Sequence, residues 1–473
     1  MPSLPPSSST DLTPPAAPEL PASAPAQAPP PALQGAARAR RILALALPIV
    51  GGMLSQNLLN LVDTFMVGRL GNAALAGVGL ASFATFLSLA LITGLSAGVQ
   101  AISARRLGEG QTTQTALSLN GGLLLAFVIG APLSILVYFG AAHAFPLLVK
   151  QPEIVEVGVG YWQARALSIV AVGLNFSFRG FWNGISESWR YFVTLLIMHI
   201  SNIIISYGLI FGAWGLPEMG ATGAGLGSSI ATWIGTLVYL LQGLLRARPM
   251  GFLRSLPSRE VLRSVLRLSV PAGVQQLFFS AGMTAFFSII GRVGVAELAA
   301  SQVLLNLLML AILPGMGFGL AAGSLVGHAL GGGSSAQARD WGWSVARLAV
   351  LVIGLLVLPG IFFPEHLLAP FLTDPVALEL AAAPMLLVCV GIPIDTLGLV
   401  LMQSLIGAGD SRRTLIVATA TQWGVALPLA YLLGPVLGLG ITAIWACHVA
   451  SRVLNTLIFT AMWKRGGWTQ IRV

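Results

Sequence analysis

Long apolar runs alternate with short polar breaks along nearly the whole chain. Stretches of roughly 20 apolar residues, long enough to cross a bilayer as a helix, recur from about residue 42 to near the C-terminus. Backbone in lipid must satisfy its own hydrogen bonds, so each stretch reads as a helix. A closed barrel would instead show short segments of alternating polarity, and none stand out here. The pattern places spans near 42–66, 74–98, 116–142, 157–182, 190–213, 220–245, 268–290, 297–325, 343–363, 379–405, 414–434 and 436–463. The expected fold class is an all-α polytopic membrane protein of twelve transmembrane helices.

Composition agrees with that pattern. Hydrophobic residues make up 56%, charged residues 9%, and mean hydropathy is +0.85, too little charge to clothe a soluble domain of 473 residues. Residues 1–37 differ: they are Pro/Ala/Ser-rich, hold eleven of the 28 prolines, and read as a disordered cytoplasmic tail. They lack the basic-then-apolar order of a signal peptide, so no cleavage is expected. Cys389 and Cys447 lie within apolar runs and read as small packing residues.

A net charge of +9 raises the question of nucleic acid. Its distribution gives another answer. With the N-terminus inside, 20 of the 25 Lys and Arg fall in or beside the inner loops, among them Arg105, Arg179, Arg190, Arg347 and Arg472. Four fall on the outer side (Arg69, Lys150, Arg165 and Arg292), and Arg452 lies within a span. Positive charge follows the inner side of a membrane protein. The expected placement is the inner membrane with both termini cytoplasmic, lipid around the helices, and no nucleic-acid partner.

Sliding the chain against itself by 223 residues brings two halves into register. Pro48 falls on Pro271, Gly68-Arg69-Leu70-Gly71 on Gly291-Arg292-Val293-Gly294, and Gly94 on Gly317. Leu107-Gly108 meets Leu330-Gly331, and Gly184, Ser188 and Arg190 meet Gly407, Ser411 and Arg413. Each unit has six spans, an even number, so the copies are parallel. They are expected as two six-helix bundles about a pseudo-two-fold axis along the membrane normal. The organisation expected is a tail (1–37), an N-terminal lobe (38–245), a basic cytoplasmic linker (246–267), a C-terminal lobe (268–463) and a second tail (464–473).

The segments Val62-Asp63-Thr64-Phe65-Met66-Val67-Gly68-Arg69-Leu70-Gly71, Ser103-Ala104-Arg105-Arg106-Leu107-Gly108, Arg179-Gly180-Phe181-Trp182-Asn183-Gly184 and Gly220-Ala221-Thr222-Gly223-Ala224 resemble those of the MATE (multidrug and toxic compound extrusion) family. In the second half Gly407-Ala408-Gly409-Asp410 resembles a family turn. The likeness covers roughly 42–463 and lies nearest the bacterial NorM/DinF-like branch. It implies an inner-membrane antiporter exporting organic, often cationic compounds against inward H⁺ or Na⁺ flow, with no cofactor beyond that ion. A monomer is expected.

Of the sixteen acidic residues only Asp63 and Asp395 fall at hydrocarbon depth. A charge at a span centre costs roughly 2.5–3.5 kcal/mol on insertion scales, so such residues usually mark a polar path. Asp63 shares a helix face with Gln56 and Asn60, with Asn57 alongside. The resemblance gives this first-helix Asp a coupling role. Asp395, twelve residues before Gly407, resembles the branch's C-lobe cation site, with neutralisation by Arg452 as the alternative. Two positions depart from the family. The fifth helix has Asn202 but Ser206 where proton-coupled relatives carry Asp, and the seventh offers Gln275 and Gln276 in place of a Glu. One titratable acid per lobe favours H⁺ over Na⁺. His199 and His448 read as packed histidines. A lipid-linked-oligosaccharide flippase is the nearest rival and would need more cavity-facing arginine. An enzyme or channel is disfavoured by the absence of a nucleophile–base pair, metal spacing or phosphate loop.

Overall fold

The computed structural model describes residues 35–372 and 375–471. Residues 1–34 of the expected N-terminal tail, and Arg472 at the other end, lie outside them. The first lobe runs through α1 (Gly35–Gly68), α2 (Asn72–Thr93), α3 (Leu95–Gly108), α4 (Leu117–Ala144), α5 (Pro152–Ala166), α6 (Ile169–Gly184), α7 (Ser188–Phe211) and α8 (Gly220–Gln242). The second runs through α9 (Arg259–Gly291), α10 (Val295–Gly331), α11 (Ser335–Phe362), the short α12 (Pro364–Leu368), α13 (Pro375–Gly407), α14 (Ser411–Thr421), α15 (Leu427–Tyr431) and α16 (Gly440–Arg465). No strand occurs among the described residues.

Among the described residues, eleven helical runs are long and apolar enough to cross a membrane, and α5 with α6, bent by 50°, makes a twelfth. α2 and α3 form one crossing broken at Gly94. Most spans exceed their apolar runs. α1 begins at Gly35, inside the segment expected to be tail, and α9 begins at Arg259, inside the expected linker. Hydropathy registers only the lipid-facing part of a helix, whereas backbone hydrogen bonding carries on into the polar interface. Large apolar side chains face outward, as lipid requires: Leu58, Leu61 and Phe65 on α1 are 64%, 68% and 64% exposed.

The repeat is visible as paired close contacts. Within the first lobe, a side chain at Gly184 would meet the Gln100 carbonyl; within the second, one at Gly407 would meet Gly323. Between lobes, a side chain at Gly94 would strike the backbone of Ser269 and Gly273, and one at Gly317 would strike Val50 and touch Ala46. A methyl on Gly108 would land on the His328 carbonyl, and one on Gly331 on the Arg105 carbonyl. In each pair the partners are separated by the same 223 residues as the glycines. Gly94, Gly108, Gly184, Gly331 and Gly407 are therefore points where two backbones approach too closely for a Cβ, and Gly317 is one where the Val50 side chain does.

These seams also fix where the lobes meet. The start of α1 (Ile42, Leu45, Ala46) packs into the second lobe, and the start of α9 (Val261, Val265, Leu268) into the first. Cross-lobe hydrogen bonds gather at the same end. Gln100 Nε2 donates to the Leu320 carbonyl (2.8 Å) and Ser324 Oγ (2.9 Å), and Ser324 Oγ donates to the Asn183 carbonyl (2.8 Å). His328 Nε2 meets the Gly184 carbonyl at 2.7 Å. The C-terminal segment joins this seam: Arg105 Nη1 donates to the Ile471 carbonyl (2.6 Å), while Trp468 stacks on Trp463 at 4.0 Å. The lobes are thus held together at the end that carries both described termini.

Candidate functional site

Two separate polar regions interrupt the apolar packing. The first lies inside the N-terminal lobe, between α1, α7 and α8. The 3.6-residue period puts Gln56, Asn60 and Asp63 on one face of α1, and His199, Asn202 and Ser206 on one face of α7. Gln56 Nε2 donates to Asn60 Oδ1 (3.3 Å), and Gln56 Oε1 meets His199 Nε2 at 3.1 Å. Asn202 Nδ2 reaches both Asp63 Oδ2 and Ser228 Oγ, each at 3.4 Å.

The arrangement at Asp63 is unusual for a carboxylate at this depth. Its one hydrogen bond is long for an N–H···O contact, and its Oδ1 is buried with no partner. Ser206 Oγ donates to Asn202 Oδ1 at 2.6 Å, which occupies the amide carbonyl and leaves the N–H side turned to Asp63. Ser206 thus sets the orientation of its neighbour. Asn57 is not part of this group: it is exposed, with Nδ2 3.5 Å from the Met53 carbonyl of its own helix.

The second region is a cavity of about 400 Å³ between the lobes. α3, α6, α9, α10, α13 and α16 supply most of its wall, and Met53, Met283, Met309, Met316 and Met402 line it with Phe86, Phe176 and Phe279. Its polar members include Gln100, Gln275, Gln276, Gln403, Gln422, Asp395, Arg452, His448 and Arg179. Asp395 is buried and paired: Arg452 Nε lies 2.8 Å and Nη2 2.7 Å from its Oδ1. His448 sits against Phe286 (5.1 Å) and Trp445 (5.6 Å), whose Nε1 donates to Ser301 Oγ (3.0 Å). Gln275 Nε2 points at Met402 Sδ (3.1 Å), and its Oε1 is buried without a partner. Further along α9, Ser280 and Thr284 are self-satisfied, donating to the carbonyls of Gln276 and Ser280 one turn back.

The two membrane acids therefore do not share a pocket. Asp395, Gln275 and Gln276 line the cavity, while Asp63, Asn202 and Ser206 form the N-lobe cluster. The sequence reading passed over Arg179, which it grouped with the inner loops. It lies within α6 and faces the cavity, with its guanidinium 5.4 Å from the Phe176 ring and 5.3 Å from the Tyr191 ring. The sequence signal was available: Arg179 is a full turn inside the helix that ends at Gly184. The methionine wall is spread over α1, α9, α10 and α13, so only the packed helices bring it together.

Comparison with known proteins adds a family to this geometry. A family model described as MatE matches residues 48–208 and 271–432. Its two matches begin at Pro48 and Pro271, the same residues that open the repeat. A Synechococcus protein called probable multidrug resistance protein NorM is 29% identical over 86% of this chain and 90% of its own length. Multidrug resistance protein PmpM of Pseudomonas aeruginosa is 27% identical over 84% of each chain. A solved structure titled as the outward-facing conformation of a multidrug resistance MATE family transporter of the MOP superfamily superposes with a TM-score of 0.84. It shares 22% identity over 92% of this chain and 97% of its own, a likeness of fold.

Proposed function

Because the chain belongs to the MatE family of membrane transporters, we propose that it is a multidrug efflux antiporter driven by inward proton flow. The observation that carries the ion assignment is the Asp63 carboxylate, half-buried, with one oxygen unpartnered and the other taking a long hydrogen bond from the Asn202 amide. A proton needs one titratable oxygen and nothing more. A sodium ion needs several converging oxygens, and Ser206 holds the Asn202 carbonyl turned away from the acid. Binding and release of a proton at Asp63 would change the polarity of the α1–α7 seam, and hence the balance between the two arrangements of the lobes.

Substrate occupies the central cavity. Its methionine and phenylalanine wall is deformable and mainly apolar, which accommodates organic molecules of different shapes. The relatives named as multidrug resistance proteins support that reading. Alternating access follows from two lobes joined at one end: with both termini cytoplasmic, the present state is closed to the cytoplasm, and rocking about the seam reverses it. The 20-to-4 bias of basic residues supports that orientation in the inner membrane. Each chain encloses a complete cavity, so a monomer suffices.

Reconstitution into proteoliposomes with either ΔpH or ΔNa⁺ imposed tests the proposal. Uphill dye transport is expected under ΔpH alone. Transport that collapses when Na⁺ is removed at a constant pH gradient would overturn the proton assignment.

A further inference from the structure

The charge carried by the cavity wall bears on which substrates fit it. Among the described residues lining the cavity, Asp395 is the one acid, and Arg452 already neutralises it through two contacts under 3 Å. Arg179 lines the same space and has no carboxylate partner among the described residues. Its Nε is buried without a hydrogen bond, and its guanidinium rests on aromatic rings only. The wall therefore bears a net charge of one positive unit. The sign is secure: protonating His448 or Asp395 would only make the wall more positive.

We infer that the cavity takes amphipathic organic compounds bearing an anionic group such as a carboxylate or sulfonate, and that Arg179 receives that group. The inference rests on the efflux reading and names the substrate class of the same cavity. An arginine in a mainly apolar wall offers several N–H donors in a planar fork, which matches a carboxylate or sulfonate. Phe86, Phe176 and Met316 supply apolar surface for the rest of the molecule. A permanent organic cation meets the opposite situation, because the one acid that could hold it is engaged by Arg452. Pyrophosphate-linked lipids carry more charge than one free arginine can satisfy, so a singly charged head group is the better fit. At the 223-residue offset Arg179 falls on Met402. The second lobe thus has no matching cation, and the anion site is one-sided.

The test uses two aromatic dyes of opposite charge, fluorescein and ethidium, bound to the purified full-length protein and followed by fluorescence anisotropy. Charge-assisted hydrogen bonds of the usual strength predict fluorescein binding about 10- to 100-fold more tightly than ethidium. Arg179→Gln should lose that margin by weakening fluorescein alone, and Arg179→Lys should keep part of it. A merely structural Arg179 would weaken both dyes together, and that result overturns the inference. So does tighter binding of ethidium by the parent protein, or binding of neither dye. The parent's ratio decides the charge class even if Arg179→Gln does not fold, and the partial loss in Arg179→Lys then decides the residue. Fluorescein that binds but is not moved in proteoliposomes would refute the efflux reading and leave this one standing. Ethidium that is exported while fluorescein does not bind would do the reverse.

Discussion

At Asp63 and Asp395 the same side chain occupies opposite environments. Asp63 has one hydrogen bond of 3.4 Å and an unpartnered oxygen, whereas Asp395 is held by Arg452 at 2.7 and 2.8 Å. Both acids were legible in the sequence, because charge inside an apolar run is costly wherever it occurs. Their partners were not equally legible. Arg452, 57 residues from Asp395 but the one basic residue that the apolar pattern placed within a span, was already the alternative partner, whereas the Ser206 hydroxyl that orients Asn202 shows itself only as a missing acid. Breaking a buried pair leaves an uncompensated charge, at roughly 3–5 kcal/mol, and the lower end applies here because Arg452 opens onto the cavity. Arg452→Gln should therefore lower thermal stability in detergent clearly. Adding Asp395→Asn should restore much of the loss, and a double variant no more stable than Arg452→Gln would show that the pair is not the cause. Asp395→Asn alone should alter the range of dyes exported. At Ser206, replacement by Ala releases the Asn202 carbonyl toward Asp63. Transport driven by ΔpH should then fall severalfold with dye affinity unchanged, and an unchanged rate would mean that the amide's orientation is immaterial.

Among the elements, the helix crossings at glycine separate two kinds of contact. Gly184 and Gly407 close helices within a lobe, while Gly94, Gly108, Gly317 and Gly331 close the seam between lobes. The repeat made all six readable as a matched set. It could not say which backbone each one meets, because that depends on packing across the pseudo-two-fold axis. Helix ends were misread for a related reason, since α1 and α9 begin before their apolar runs, with exposed first residues ahead of the apolar ones (Ile42 and Leu45, Val261 and Val265) that pack against the opposite lobe. Bulk added at the two kinds of site should act differently. Gly108→Val or Gly331→Val should force the lobes apart at the seam, and spin-label distances across it should shift toward the separated state with folding retained. Gly407→Val, which collides with Gly323 inside one lobe, should instead lower stability and leave the distance distribution of surviving protein unchanged. Equal effects at both sites would remove the distinction. The repeat also breaks where function requires it. Asp63 corresponds to Phe286, which is buried against Trp445 and His448, so the second lobe fills with aromatic rings the space that the first keeps polar.

At the scale of the whole molecule, two lobes share one frame and differ in what they carry. The N-terminal lobe holds an under-coordinated acid, the cavity lies between lobes, and the seam beneath it is closed by hydrogen bonds and by the C-terminal strap from Arg105 to Ile471. That strap must let go when the lobes rock. The twelve spans were plain in the hydropathy pattern, because lipid imposes length and apolarity on every crossing helix, and the two-copy plan was plain in the residues matched at the 223-residue offset. The cavity's methionine wall was hidden, since it arises only where distant helices converge, whereas Arg179 was readable from its place inside α6 and was passed over. The claim on which the account depends is that the ion site and the substrate site are distinct and coupled through lobe movement. Asp63→Asn measured in proteoliposomes tests it most directly, with dye binding and ΔpH-driven transport followed on the same preparation. The account predicts dye affinity within about twofold of the parent and no uphill transport, since the substituted side chain lies outside the cavity but can no longer carry a proton. Uphill transport by Asp63→Asn at the parent's rate would contradict it.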